Sequence, residues 1–328
     1  MTKTFYISII FFLVVFSCKN EKAEDLNAKH LDCIANNINN DLEEITESMI
    51  SLTTNLQHNV NFDQKISAFS TVKYHYYPDQ VLFCSYDNSQ SSVYYPANLN
   101  ITENVKNIIV NSEQADTFFM DAVKKNPLLA QVYFLDTNSF LRIYPYINVV
   151  NYLKSSVNIT ELAPFNEIEG KPFIGDQAYW MSSPYADPYG RGWIVSCTEP
   201  LYFRENFIGI VSGDITLHSL KNKYFTSNTE LLLLTDQNAR LICCTKEASR
   251  VINIPAQREF RYYKPVKETI FMFNTPELTT HANKSFRKAV NSLLSGKNQE
   301  SFIMDSKKYT IYKSQIEQTD WLLLKIIN

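Results

Sequence analysis

The sequence predicts an α+β protein in which one long N-terminal helix serves two modules, each a central antiparallel sheet flanked by helices. Three observations lead there. Leu31, Ile34, Ile38, Leu42, Ile45, Met49, Leu52 and Leu56 recur every three or four residues, the period of one helix face. Downstream, a hairpin, a helical or irregular excursion and closing antiparallel strands follow one another twice, as two similar units would. Tyr (20) and Phe (21) are plentiful against 7 Gly, which favours strands and aromatic-lined pockets over glycine-rich phosphate loops. The 328 residues suffice for two cores, and 31 basic against 34 acidic side chains leave no electrostatic footprint for nucleic acid.

In chain order, Lys3 precedes an apolar run over residues 6–16 that is short for a bilayer span and ends at Ser17-Cys18, so residues 1–17 read as an export signal. Val15-Phe16-Ser17-Cys18 resembles a bacterial lipobox, with Phe16 larger than the usual occupant. It marks Cys18 for lipidation and places the chain in the cell envelope, on the periplasmic side or the outer membrane. A plain signal peptide or an uncleaved anchor is the alternative. Residues 18–27 are a polar tether. The helix is expected over 28–70; at about 1.5 Å per residue it reaches roughly 60 Å, longer than a small domain. It therefore lies buried along its own modules or pairs with a second copy as a homodimer.

Residues 71–217 form the first module. Strands over 74–86 and 91–95 join through Asp87-Asn88-Ser89; helices follow over 103–110 and 114–125, closed by Pro127. A hairpin over 131–136 and 140–144 turns at Thr137-Asn138-Ser139. Residues 147–178, with Pro164, Gly170, Pro172 and Gly175, form a long irregular loop of the kind that walls a pocket. Strands over 192–197 and 207–212 close the module around a turn at 203–206. The second module, 218–328, has strands over 230–235 and 240–244 around Asp236-Gln237-Asn238, an unassignable stretch over 250–278, a helix over 284–294, and strands over 301–304, 309–312 and 321–326. After Cys18, the cysteines at 33, 84, 197, 243 and 244 are odd in number and fit no metal spacing, so they read mostly as small buried hydrophobes.

Residues 180–217 carry most of the functional information. Tyr185 and Asp187 precede one strand and Asp214 follows the next, so antiparallel pairing brings both acids near one end of a sheet, facing a common space. Two acids with aromatic neighbours Tyr185 and Trp180 suit a small cationic or hydrogen-bonding ligand. Each residue also has a plain reading: Asp214 as a cap for the following helix, Tyr185 and Trp180 as core aromatics, Asp187 before Pro188 as a turn residue. Arg142 and Tyr144 read as an exposed strand pair, or as reaching that pocket.

The chain resembles the double Cache family of bacterial extracytoplasmic sensor domains. The matching residues are Tyr133-Phe134-Leu135-Asp136, Leu141-Arg142-Ile143-Tyr144-Pro145, Ser183-Pro184-Tyr185-Ala186-Asp187, Gly192-Trp193-Ile194-Val195-Ser196, Pro200-Leu201-Tyr202, residues 207–215, and the closing strands from Tyr309 with Asp320-Trp321. The resemblance implies two stacked PAS-like modules on a long helix, with the ligand in the membrane-distal first module. It implies that Asp214 pairs with a ligand ammonium, with Tyr185 and Asp187 as the other polar wall. Amino-acid binders of the family carry an Arg-x-Trp-Tyr element upstream; here the corresponding residues are Ala163-Pro164-Phe165-Asn166, which leaves Phe165 as a wall and removes the carboxylate-gripping cation.

No hydrolase, metalloprotease, P-loop or dinucleotide motif occurs, and His30, His58, His75, His218 and His281 form no ligand-like pair. No cofactor or metal is expected. The leading expectation is a lipid-anchored binding or sensory protein for a small polar or amine-containing ligand, not an enzyme, signalling through a separate membrane partner. The alternatives are an envelope interaction protein using the long helix without a ligand, and a hydrolase with Asp187 and Asp214 as its dyad.

Overall fold

The computed structural model describes residues 2–77, 79–84, 90–161, 164–168, 178–254 and 276–328, with side chains from residue 26 onward and Glu167 excepted. The side chain of Cys18, together with Ala163, the 87–89 turn and most of the 250–278 stretch, therefore lies outside what is described. Helix α1 runs Thr2–Asn59, so residues 18–27, expected as a tether, are helical, and the helix stops eleven residues short of 70. The apolar period explains the stop. Its last steps are Leu56 and Val60; the next is Asp63, and Phe62 packs its ring tilted against Phe134 and edge-on against Phe203, at 5.6 and 5.7 Å. Leu31, Ala35, Ile38, Leu42, Ile45, Met49, Leu52 and Leu56 are all buried by the chain's own residues. The stripe is thus buried within its own modules, with Ala35 in the place expected for Ile34, which is half-buried.

The described residues divide into two compact units, one within residues 41–223, the other of residues 2–40, 224–254 and 276–328. In the first, strands β1 (Tyr74–Tyr76), β2 (Leu82–Cys84) and β3 (Ser92–Tyr95) precede helices α2 (Glu103–Asn111) and α3 (Ala115–Lys125). Strands β4 (Leu129–Asp136) and β5 (Leu141–Tyr144), helix α4 (Phe165–Ile168), strands β6 (Tyr179–Trp180), β7 (Tyr185–Ala186), β8 (Trp193–Phe203) and β9 (Asn206–Thr216), and helix α5 (Leu217–Tyr224) follow. The sheet has the order β1-β2-β3-β5-β4-β9-β8-β6, with β7 also on β8. The single strand expected over 74–86 is a tight hairpin, because the backbone turns at Gln80 (φ 65°) and Tyr77 N–H donates to Val81 O at 2.9 Å.

The second unit holds β10 (Leu231–Thr235), β11 (Leu241–Cys244), α6 (Lys246–Val251), α7 (Lys284–Leu294), β12 (Gln299–Met304), β13 (Lys307–Ile316) and β14 (Trp321–Ile327), in the order β11-β10-β14-β13-β12. Its central order, hairpin partner, hairpin start, last strand and penultimate strand, repeats β5-β4-β9-β8 of the first sheet. The two leading hairpins turn identically: Asp136 Oδ1 accepts from Asn138 N and Phe140 N, and Asp236 Oδ1 accepts from Asn238 N and Arg240 N. Within this unit α1 docks through its own polar groups. Asp32 accepts from Ser314, Asn39 from Gln318 N, and His30 from the buried Lys325, whose ammonium also reaches Glu230 at 3.3 Å.

Cys84, Cys197, Cys243 and Cys244 are buried thiols and Cys33 is exposed. Among the described residues, no helix is long and apolar enough to cross a membrane.

Candidate functional site

Strand alternation sends side chains to opposite faces of the first sheet, and register decides which residues meet. Gln131 on β4 and Ser196 on β8 both lie directly across from Asp214 on β9, so the three form one row over three strands. The next row is Tyr133, Ser212 and Thr198. Tyr185 opposite Ile194 on β7 belongs to the same face. Over this face lies an apolar layer that includes Val149, Leu153, Ile159, Phe165, Ile168 and Tyr189. The 147–178 segment thus covers the sheet through its described residues, and Phe165 packs its ring on Phe207 at 5.9 Å.

Asp214 is fully buried. Its Oδ2 accepts from Gln131 Nε2 at 2.6 Å, and its Oδ1 accepts from Ser196 Oγ at 2.5 Å and Tyr133 OH at 3.4 Å. Because the single hydroxyl proton of Ser196 goes to the carboxylate, Tyr185 OH donates to Ser196 Oγ at 2.6 Å. Gln131 Nε2 also donates to Asp187 Oδ1 at 3.3 Å, so one amide ties the two acids together. Asp187 organises its own loop as well, accepting from Tyr189 N at 3.1 Å and Arg191 N at 2.8 Å. The turn reading of Asp187 is the one these bonds show, and the same carboxylate is tied to Asp214 through Gln131.

Burial pushes the Asp214 carboxyl up to about 7; hydrogen bonds from Gln131 and Ser196 oppose the rise, and the Asp187 charge adds to it. Burial raises Asp187 too, against the backbone N–H groups of Arg191 and Tyr189. The phenols of Tyr133, Tyr185 and Tyr189 are held well above their usual range by burial, with the nearby carboxylate charge in the same direction, and stay neutral. Two acids in a dry, aromatic setting favour a cation that donates hydrogen bonds.

Two expected wall residues are elsewhere. Trp180 pairs with Cys197, one position out of phase with Ser196, so it faces α1 and donates Nε1–H to Thr46 at 2.9 Å; its neighbour Tyr179 takes the acid face. Tyr144 lies opposite Val132, on the face turned away from Gln131 and Tyr133. Arg142 is on that same side, buried rather than exposed. It bonds Ser112 Oγ, Asp116, Tyr74 OH and Ile109 O, a network that fastens β5 to the helices. A groove of about 330 Å³ between α1 and α3, lined by Glu47, Ser51, Asp121 and Lys125 among others, takes none of its walls from the acid cluster.

Sequence reasoning missed Gln131, Ser196, Tyr189 and Arg191 as site residues. The available signal was polar residues two apart inside apolar strands: Ser196 with Thr198, and Ser212 with Asp214.

Neither a family model nor a curated protein matches the sequence. Among solved structures, the chain is similar to the sensory domain of the Campylobacter jejuni chemoreceptor Tlp3 with isoleucine bound (10% identity, TM-score 0.54, covering 94% of this chain and 95% of that one). It is similar to the ligand-binding domain of the Pseudomonas fluorescens chemoreceptor CtaA in complex with L-isoleucine (12%, 0.51, 95% and 96%). It is also similar to the extracellular domain of the histidine kinase candidate soHK1S-Z6 (11%, 0.55, 95% and 96%). At these identities the likeness is one of fold, and that fold is the one the double Cache resemblance implied.

Proposed function

We propose that this chain is a lipid-anchored extracytoplasmic sensory protein that binds a small polar ligand in its first module, an amine being the group the site suits. The observation that carries the reading is Asp214: a buried carboxylate on the covered face of the sheet, wrapped by Gln131, Ser196 and Tyr133 and bordered by Tyr185 and Asp187. A buried charge is costly unless it is paired, and a ligand ammonium is the partner that would remove that cost. The similar fold of chemoreceptor sensory domains, which bind isoleucine in Tlp3 and CtaA, supports recognition over hydrolysis. The lipid would attach at Cys18, and the signal would pass to a separate membrane partner.

Isothermal titration of the purified chain against small amines, amino acids, organic acids and purines tests the site. At least one amine is expected to bind and to lose at least about tenfold in affinity in Asp214→Asn, the loss expected when a charge-assisted bond is removed. Unchanged affinity in that variant would sink the assignment. Metabolic labelling with a fatty acid, in wild type and Cys18→Ser, tests the anchor separately.

A further inference from the structure

Two polar atoms of the acid cluster are buried with no hydrogen-bond partner among the described residues: Gln131 Oε1, an acceptor, and Arg191 Nε, a donor. The Gln131 orientation is fixed by its surroundings. Nε2 donates to both Asp187 and Asp214, and with both acids ionised a flipped amide would set Oε1 against carboxylate oxygens, so Oε1 is the end left over. Gln131 is wholly buried, and bulk water does not satisfy that oxygen. Arg191 is held from the same side: its Nη1 donates to the carbonyl of Ala130, the residue before Gln131, and its backbone N–H to Asp187. Buried polar groups of this kind are ordinarily met by a partner.

Above about pH 7, where Asp214 has released its proton, the charges around this row are Asp187, Asp214 and Arg191, two negative and one positive, a net of minus one. A monocation neutralises it, whereas a zwitterion brings no net charge and leaves the excess in place. A quaternary ammonium supplies charge but no N–H for Gln131 Oε1. An ammonium with a nearby neutral oxygen supplies N–H groups to Asp214 and Gln131 and an acceptor to Arg191 Nε.

We infer that Gln131 and Arg191 are specificity-determining residues that make the site select a small primary ammonium carrying a neutral oxygen acceptor, as in an amino alcohol, over zwitterionic amino acids and quaternary ammonium compounds. The inference rests on the amine-binding reading of Asp214 and goes beyond it in excluding two classes that reading admits.

Titration of the full chain at pH 8, where Asp214 is ionised, with 2-aminoethanol, glycine, choline and propylamine tests it. 2-Aminoethanol is expected to bind at least about tenfold tighter than each of the others, the loss expected from leaving one buried polar atom unmet. Gln131→Met is expected to shrink the preference over choline, and Arg191→Met the preference over propylamine, with circular dichroism showing both variants folded. Glycine or choline binding as tightly as 2-aminoethanol, with Asp214→Asn abolishing both, overturns this inference and leaves the amine site standing. Absence of binding by every amine overturns both. Selectivity unchanged in the two folded Met variants overturns the roles given to Gln131 and Arg191.

Discussion

Asp214 holds its proton to about pH 7 in the folded chain because its carboxyl is buried, while an unfolded Asp releases it near pH 3.9. Between those values the folded state binds a proton that the unfolded chain has lost. The stability Asp214 contributes is therefore full below about pH 4 and is lost as pH rises through about 7, at about 1.4 kcal/mol for each pH unit crossed between the two. Asp214→Asn carries no such dependence. Without ligand, the melting temperature of the variant minus that of wild type is expected to climb between pH 5 and 8. Asp136, raised by burial to about 6, and Asp187 are present in both chains and largely cancel in the difference. A difference that stays flat would mean the Asp214 carboxylate is already compensated. The sequence made Asp214, Asp187 and Tyr185 readable because they flank strands long enough to recognise. Trp180 misled because β6 is two residues long, and a one-residue shift in phase exchanges Tyr179 for Trp180 on the acid face. Gln131 was hidden inside an apolar strand, where only its register against Asp214 gives it a role.

At the scale of elements, the β8/β9 hairpin places the site and is joined by a turn of unfavourable chemistry. Arg204 and Glu205 sit at φ 49° and 67°, a left-handed pair that Asn-Gly adopts with much less strain. Replacing the two by Asn-Gly is expected to stabilise the chain by about 1 kcal/mol, seen as a higher urea midpoint at unchanged slope; a lower midpoint would show that the Arg204–Asp63 ion pair at 2.8 Å outweighs the backbone gain. Gly209 in β9 is the opposite case. A Cβ there would lie 2.2 Å from the Leu135 carbonyl oxygen, so Gly209→Ala must push β9 off β4, and a loss of about 2–4 kcal/mol is expected in the same urea experiment. Both strands run longer than the apolar runs that predicted them, because cross-strand pairing carries the ladder past the hydrophobic residues to the turn. The end of α1 was misjudged because the apolar step continues to Val60, while Asn59, Asn61 and Asp63 around it are poor helix formers.

The whole molecule is a duplicated sheet topology served by one helix, and the helix makes the second unit discontinuous in sequence. Leu31, Ala35 and Ile38 belong to that unit, as do the contacts of His30, Asp32 and Asn39, and Tyr224 OH donates to Asn37 O at 3.1 Å. The repeat was legible because a hairpin, an excursion and closing strands recur in the same order, whereas the matching roles of Asp136 and Asp236 emerge only from their hydrogen bonds; how α1 is shared was not legible, since an apolar stripe does not reveal which sheet it covers. Burial of Leu31 and Ile38 alone contributes about 3–6 kcal/mol, a large part of the roughly 5–15 kcal/mol that holds a domain folded. A chain beginning at residue 41 is therefore expected to keep the first unit and lose the second. Hydrogen exchange should show protection retained over 129–136 and 193–216 and lost over 231–244 and 307–327, with Asp214-dependent ligand binding intact. Retained protection over 307–327 would mean the second sheet is stable without α1, and loss over both units would mean that they fold only together.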